Sequence, residues 1–264
     1  MGQRHSHFSI EPVMHDQRLD NAPIIEAIVD IDCDLPPTYN LRTLEDVAHD
    51  PLREQYPVMQ RRFMQEVRIE AGKEGSFDQQ VRQDVDALQF LAPDRKQLVQ
   101  FRLGGFSFNR LAPYSTLDDY TSDIRTGWQV FLDVVAPVQI RTVRLRYINR
   151  IMIPVTETHV DLDAYFRVAP SQPADPGLRL SSFVNQYTAT DPETGHYSTV
   201  VLASQQREGG ELPIIFDNTA FSTRAIDPDD WTTLWNEVQA VRYLKNRVFY
   251  NTLEDKCLRL FSSD

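Results

Sequence analysis

Four arginines fall within ten residues: Arg141, Arg144, Arg146 and Arg150. In an extended segment Arg144, Arg146, Ile148 and Arg150 share one face, while Leu145, Tyr147, Asn149 and Ile151 share the other. Guanidinium groups two residues apart on one face stand about 7 Å apart, so neighbours can grip a phosphate or carboxylate jointly. The ligand-binding candidates are therefore Arg144, Arg146 and Arg150, with Tyr147 or Asn149 at the rim and Glu26 as an acidic counterpart. The competing arrangement is internal. Glu26, Asp30 and Asp32 repeat at the same two-residue spacing on an earlier segment, and cross-strand carboxylate–guanidinium pairs would neutralise both sets. That ion-pair ladder is the expected arrangement, with the ligand site as its alternative.

Other chemistry is weakly signalled. Asp30, Asp32 and Asp34 offer hard oxygens at strand spacing, as Mg²⁺ prefers, but no Gly-rich phosphate turn precedes them. The arm histidines His5, His7 and His15 lack fixed geometry, and His49, His159 and His196 stand singly. Cys33 has carboxylate neighbours, which raise a thiol pKa and disfavour a nucleophilic role. No HExxH, GxSxG, P-loop, GxGxxG or CxxC pattern occurs. Neither a catalytic residue nor a cofactor or metal site is thus expected. Trp231 and Trp235 lie one helical turn apart; they read as core anchors, with a partner-binding stripe as the alternative.

The elements that must position these groups follow from periodicity. Residues 1–20 read as an arm without packing commitment. Alternation over Ile24–Asp34 predicts a strand that Pro36-Pro37 stops, followed by a helix opening near Thr43 and a second helical piece over Tyr56–Val67. Strands are expected near Ala87–Ala92 and Lys96–Leu103, joined by Pro93-Asp94-Arg95. Gly104-Gly105 permits a sharp turn before Phe106-Ser107-Phe108. Tyr120, Ile124, Trp128, Phe131, Leu132 and Val135 form a helical stripe ended by Pro137, and a long strand follows to Ile153. The fold class is α+β, with helices packed on one face of antiparallel strands. Residues 21–168 are expected as a ferredoxin-like βαββαβ half. After a Pro-rich linker at Pro170–Gly177, residues 178–264 are expected as a three-stranded antiparallel unit and a C-terminal amphipathic helix, with one continuous domain as the alternative to two. That helix has Asp227 as its predicted N-cap and Pro228 at its first position.

Several of these runs resemble a known family. Pro23-Ile24-Ile25-Glu26-Ala27, Leu98-Val99-Gln100, Phe106-Ser107-Phe108-Asn109 to Pro113-Tyr114, and Arg146-Tyr147-Ile148-Asn149-Arg150-Ile151 to Pro154 carry the likeness, with the closing segment Phe249–Phe261. Together they are similar to a sporadically distributed bacterial family of uncharacterised proteins of about this length. The resemblance implies a cytoplasmic bacterial protein from mobile, antiphage-defence or toxin–antitoxin-like gene modules, and brings no assigned reaction. Asn251-Thr252-Leu253 departs from the family pattern, which affects the local register only.

Composition sets the outer bounds. The 264 residues are 41% apolar and 25% charged, enough for a sizeable core. No window approaches the roughly 20 apolar residues needed to cross a bilayer, and the start lacks an apolar signal region. It does match the N-myristoylation pattern at Gly2 and Ser6, a short motif common by chance. Two cysteines suit buried thiols in a reducing compartment. Net charge is −11, yet residues 53–150 hold 15 Lys and Arg against 12 Asp and Glu, leaving a mildly basic middle between acidic ends. Such a total opposes long-range attraction to nucleic acid. The expected function is binding or regulation through a protein partner encoded nearby or a second copy. The alternative is a sensor or enzyme for an anionic, nucleotide-like molecule held by Arg146 and Arg150.

Overall fold

The computed structural model describes residues 19–71, 77–155, 160–170 and 180–262. Their strands are β1 (Ile24–Asp34), β2 (Val58–Ala71), β3 (Phe77–Leu91), β4 (Gln97–Arg102), β5 (Gly105–Leu111), β6 (Gln139–Pro154), β7 (Val184–Thr190), β8 (Tyr197–Ser204) and β9 (Glu211–Ser222). The helices are α1 (Glu45–Leu52), α2 (Thr121–Val135), α3 (Trp231–Thr252) and α4 (Asp255–Leu258). All nine strands form one antiparallel sheet in the order β2-β3-β4-β5-β1-β6-β9-β8-β7. The α+β class with helices on one sheet face holds. The sheet is larger than a ferredoxin-like half would supply, and β6–β9 pairing joins both halves of the chain in it.

The second helical piece expected over Tyr56–Val67 is a correction: Val58–Ala71 is strand β2, paired with β3 along its length. Helix-forming residues there yield to a fourteen-residue ladder, because pairing outweighs intrinsic propensity. Helix α3 also starts later than predicted. Asp230, not Asp227, is its N-cap, and accepts the Thr233 amide at 2.9 Å. The arm up to residue 18, with the myristoylation pattern and the three arm histidines, lies outside the described residues, as do His159, residues 171–177 of the linker and the two residues after it.

Strand β6 shows what organises the molecule. Its burial alternates from Val143 to Ile153, placing Val143, Leu145, Tyr147, Asn149, Ile151 and Ile153 against the helices. Two apolar clusters lie on that helix-covered face. One gathers Val29, Ile31, Phe101, Phe106, Leu145, Trp128, Phe131, Leu234 and Val241 beneath α1, α2 and the first half of α3. The other gathers Ile151, Ile153, Leu202, Phe216, Phe249, Cys257 and Phe261 beneath the rest of α3 and α4. In the first cluster the Phe101 and Phe131 rings meet edge-on at 5.0 Å, as do Phe106 and Trp128 at 5.6 Å.

Gly127 lets α2 lie this close, since a Cβ there would stand 3.0 Å from Val99 and 3.2 Å from the Phe106 ring. Gly105 is fixed more tightly still: at φ 140° a Cβ would fall 2.2 Å from the Ile31 carbonyl oxygen of β1. Helix α2 closes on Ala136 in the left-handed region, with Pro137 beyond it.

Candidate functional site

The opposite sheet face carries no helix among the described residues and bears polar side chains on the seven neighbouring strands β2-β3-β4-β5-β1-β6-β9. A chain of side-chain amides crosses five of them in one sense. Gln60 donates to Gln89 at 2.8 Å, Gln89 to Gln100 at 2.9 Å, Gln100 to Asn109 at 2.7 Å, and Asn109 to the Glu26 carboxylate at 2.7 Å. Gln100 and Asn109 are buried, so each link replaces water with a specific partner.

The arginines follow the same logic. Arg144 donates to Asp32, which also takes a 2.8 Å bond from Arg102. Arg146 holds both oxygens of Asp217 on β9, with its Nε 2.9 Å from Oδ1; this bond raises the guanidinium pKa further. Arg150 bonds Glu208 and, at 3.0 Å, Gln205, while Arg141 bonds Asp34 at 2.7 Å.

The ladder expected from sequence is present, with a change of partners. Glu26 goes to Asn109, and Asp30 accepts the Ser107 hydroxyl. Asp217 and Glu208 lie 71 and 58 residues from their arginines, on the side of β6 away from β1, and sequence spacing gave no signal for either. The three strand carboxylates suggested for Mg²⁺ are thus engaged by arginines or a serine. No group of three or more His, Cys, Asp or Glu is placed to hold a metal among the described residues.

An open recess of about 300 Å³ lies on this face among Asp30, Arg144, Arg146, Thr199, Asp217 and Thr219. The arginines remain partly solvent-facing there: 42% of the Arg146 side chain is exposed against 16% for Asp217.

Tyr147 and Asn149 project through the other side of β6, as their alternation requires, and do not join the arginines. They line a separate cleft of about 150 Å³ with Tyr114, Leu117, Arg242, Lys245 and Phe249. This cleft sits at the seam between the two apolar clusters. Lys245 is 6% exposed and its ammonium lies 3.6 Å from the centre of the Tyr147 ring, a cation–π contact. Tyr114 and Tyr147 share a hydrogen bond between hydroxyls. Burial pushes both phenol pKa values up, that of Tyr147 to about 12, so both stay protonated at neutral pH.

Asn149 donates its amide to Phe216 O at 3.0 Å and Tyr147 O at 3.3 Å, whereas its buried Oδ1 has no partner. The sequence reading missed Lys245. The signal lay in α3, where a lysine four residues after Val241 and four before Phe249 interrupts the apolar stripe.

Trp231 and Trp235 stack at 5.4 Å, half-buried against the first cluster, with the Arg125 guanidinium 5.6 Å from the Trp231 ring. Both thiol pKa values rise to about 12, through burial at Cys257 and through burial and the Asp32 carboxylate at Cys33. His196 bonds the buried Glu237 at 2.8 Å. No protein-family model, curated protein or solved structure matches the chain.

Proposed function

We propose that the chain is a non-catalytic binding protein, of the kind a bacterial gene module encodes beside its partner, and that it docks a protein through the helix-free sheet face. One observation carries this reading. Arg144, Arg146 and Arg150 stand in a row on that face, each oriented by a carboxylate, while a third or more of each side chain meets solvent. Arginine held in place before contact loses little rotamer freedom on binding, and such groups are enriched at interface hot spots. The reactive groups support binding over turnover: both thiols are held protonated, and the carboxylates of β1 are engaged by neighbours.

The test is site-specific photocrosslinking in the organism that encodes the chain. A benzophenone side chain at Thr219 should trap one defined protein, or a second copy, whereas the same group at Asp119 on the helix side should not. Arg146→Glu should abolish the Thr219 adduct. No adduct from the sheet face, or substrate turnover by the purified protein, would end the proposal. A nucleotide-like anion held by Arg146 and Arg150 has less support, because the two guanidinium groups are matched by carboxylates on different elements, Asp217 on β9 and Glu208 before it.

A further inference from the structure

The two edges of the sheet are built differently, and the difference points to a surface other than the arginine row. Strand β2 closes one edge. Its fourteen residues include Arg61, Arg62, Glu66, Arg68 and Glu70, and its ladder shifts register between Arg62 and Phe63. Charge and bulges are ordinary means by which an edge is kept from adding a further strand. Strand β7 closes the other edge and has neither. Val184-Asn185-Gln186-Tyr187-Thr188-Ala189-Thr190 carries no charge, no proline and no glycine, and its pairing with β8 runs from Val184 to Thr190 without a shift. Val184, Tyr187, Thr188 and Thr190 are β-branched or aromatic, types that favour pairing.

The phase of the β7–β8 ladder fixes which backbone groups face outward. Just beyond the strand the Asp191 amide donates to the His196 carbonyl at 2.8 Å, and just before it the Ser204 amide donates to the Phe183 carbonyl at 3.1 Å. Odd-numbered residues therefore bond β8, while Val184, Gln186, Thr188 and Thr190 turn their N–H and C=O groups away from it. No other strand pairs with that edge among the described residues. All four outward residues are exposed, Val184 by 73%.

These four residues stand symmetrically about Tyr187. A two-fold axis through Tyr187, normal to the sheet, would set Val184 opposite Thr190 and Gln186 opposite Thr188 of a second copy. Every outward amide and carbonyl then gains a partner, and both helix layers stay on one side. We propose that β7 pairs antiparallel with β7 of a second copy, joining two nine-stranded sheets into one. The occupant is a copy because the outward groups are their own complement under that axis, and an uncharged edge meets itself with no like charges opposed. Seven residues on each side fall short of the roughly 20–30 in a standard interface, so the dimer is weak, with a dissociation constant on the order of 10–100 μM.

Sedimentation equilibrium of the full chain tests this, in about 0.15 M salt to mute repulsion between two chains of net charge −11. The mass should rise from one chain towards two between about 1 μM and 500 μM. Gln186→Lys/Thr188→Lys sets lysines opposite one another and should weaken association at least about tenfold. Gln186→Glu/Thr188→Glu should do the same. An equimolar mixture of the two variants should restore a dimer at least as tight as the native one, since each lysine then faces a glutamate. Both positions are exposed, and the Thr188 change forfeits a hydroxyl bond to Thr199 that solvent can replace. Should either variant fail to fold, the corresponding lysine and glutamate pairs at Val184 and Thr190 make the same test. A monomer at about 500 μM, a dimer that the lysine variant leaves unchanged, or a mixture that stays monomeric overturns the proposal. The Thr219 crosslink probes the sheet face and this titration its edge, so either reading can fail alone.

Discussion

The two faces of β6 settle their polar groups in opposite ways. On the helix-free face, carboxylates and arginines are matched across strands and amides hand hydrogen bonds from one strand to the next, so nearly every group is used. On the helix-covered face a lysine, two tyrosines and two asparagines interrupt the apolar interior, and two buried acceptors, Asn149 Oδ1 and Asn218 Oδ1, are left over. Partly solvated groups reach a low-energy state simply by finding partners on neighbouring strands. Leftover acceptors in a covered interior are a cost that folding does not require, which makes that face the poorer arrangement for stability.

The contrast can be broken first at Asp217. Asp217→Ala strands the Arg146 guanidinium, and chemical denaturation should show a loss of about 2–3 kcal/mol, moderated because Arg146 is partly exposed. A loss below about 0.5 kcal/mol would mean that water replaces the carboxylate without cost. Next comes the amide chain. Gln100→Ala removes its middle link and leaves the neighbouring amides unmatched, which should cost about 1–2 kcal/mol by the same measurement. In the cleft, Tyr147→Phe deletes only the hydroxyl bonded to Tyr114 and should cost about 1 kcal/mol. If it costs more than Gln100→Ala, the cleft is as tightly constrained as the sheet face and the contrast fails.

At neutral pH the smallest effect is expected from the two thiols. The folded thiols have pKa values near 12 against 9.0 when free, so below pH 9 they contribute nothing to the pH dependence. Above it the unfolded chain ionises first, and stability should fall between pH 9 and 12. Cys33→Ala/Cys257→Ala protein should show a shallower alkaline decline. At pH 8 the native thiols should also resist Ellman's reagent until denaturant is added.

Much of this was legible from residue patterns, and the remainder was hidden for identifiable reasons. Alternation exposed β1 and β6 because each has one face in a core, and the stripes of α2 and α3 were plain for the same reason. Strand β2 was misread because Met59, Gln60, Arg61, Arg62, Phe63 and Met64 carry no two-residue apolar alternation; Phe63 and Met64 are about half exposed. What makes the segment a strand is its partner, and a partner is not a local property. The ion pairs show the same limit. Each arginine of β6 had acids available on both flanking sides, and only strand order decides that Arg146 turns to Asp217 while Arg144 turns to Asp32. The cleft had one visible clue, a lysine in an apolar stripe, but its orphan acceptor arises from the turn of a single amide and leaves no trace in spacing.

The one-way run of amides from Gln60 to Glu26 also bears on how the strands find their alignment. Each of the three interior members, Gln89, Gln100 and Asn109, has its oxygen taken by the residue before it and its nitrogen by the residue after, so none of these can rotate alone. Sliding β2 and β3 together by two residues against β4 would set Ala87 or Leu91 opposite Gln100 where Gln89 now stands, and the run would end there. A misaligned sheet would keep its backbone ladder but forfeit the side-chain sequence that terminates on a negative charge. The row therefore proofreads the assembly of five strands, a duty that apolar packing, indifferent to which methyl meets which, could not discharge.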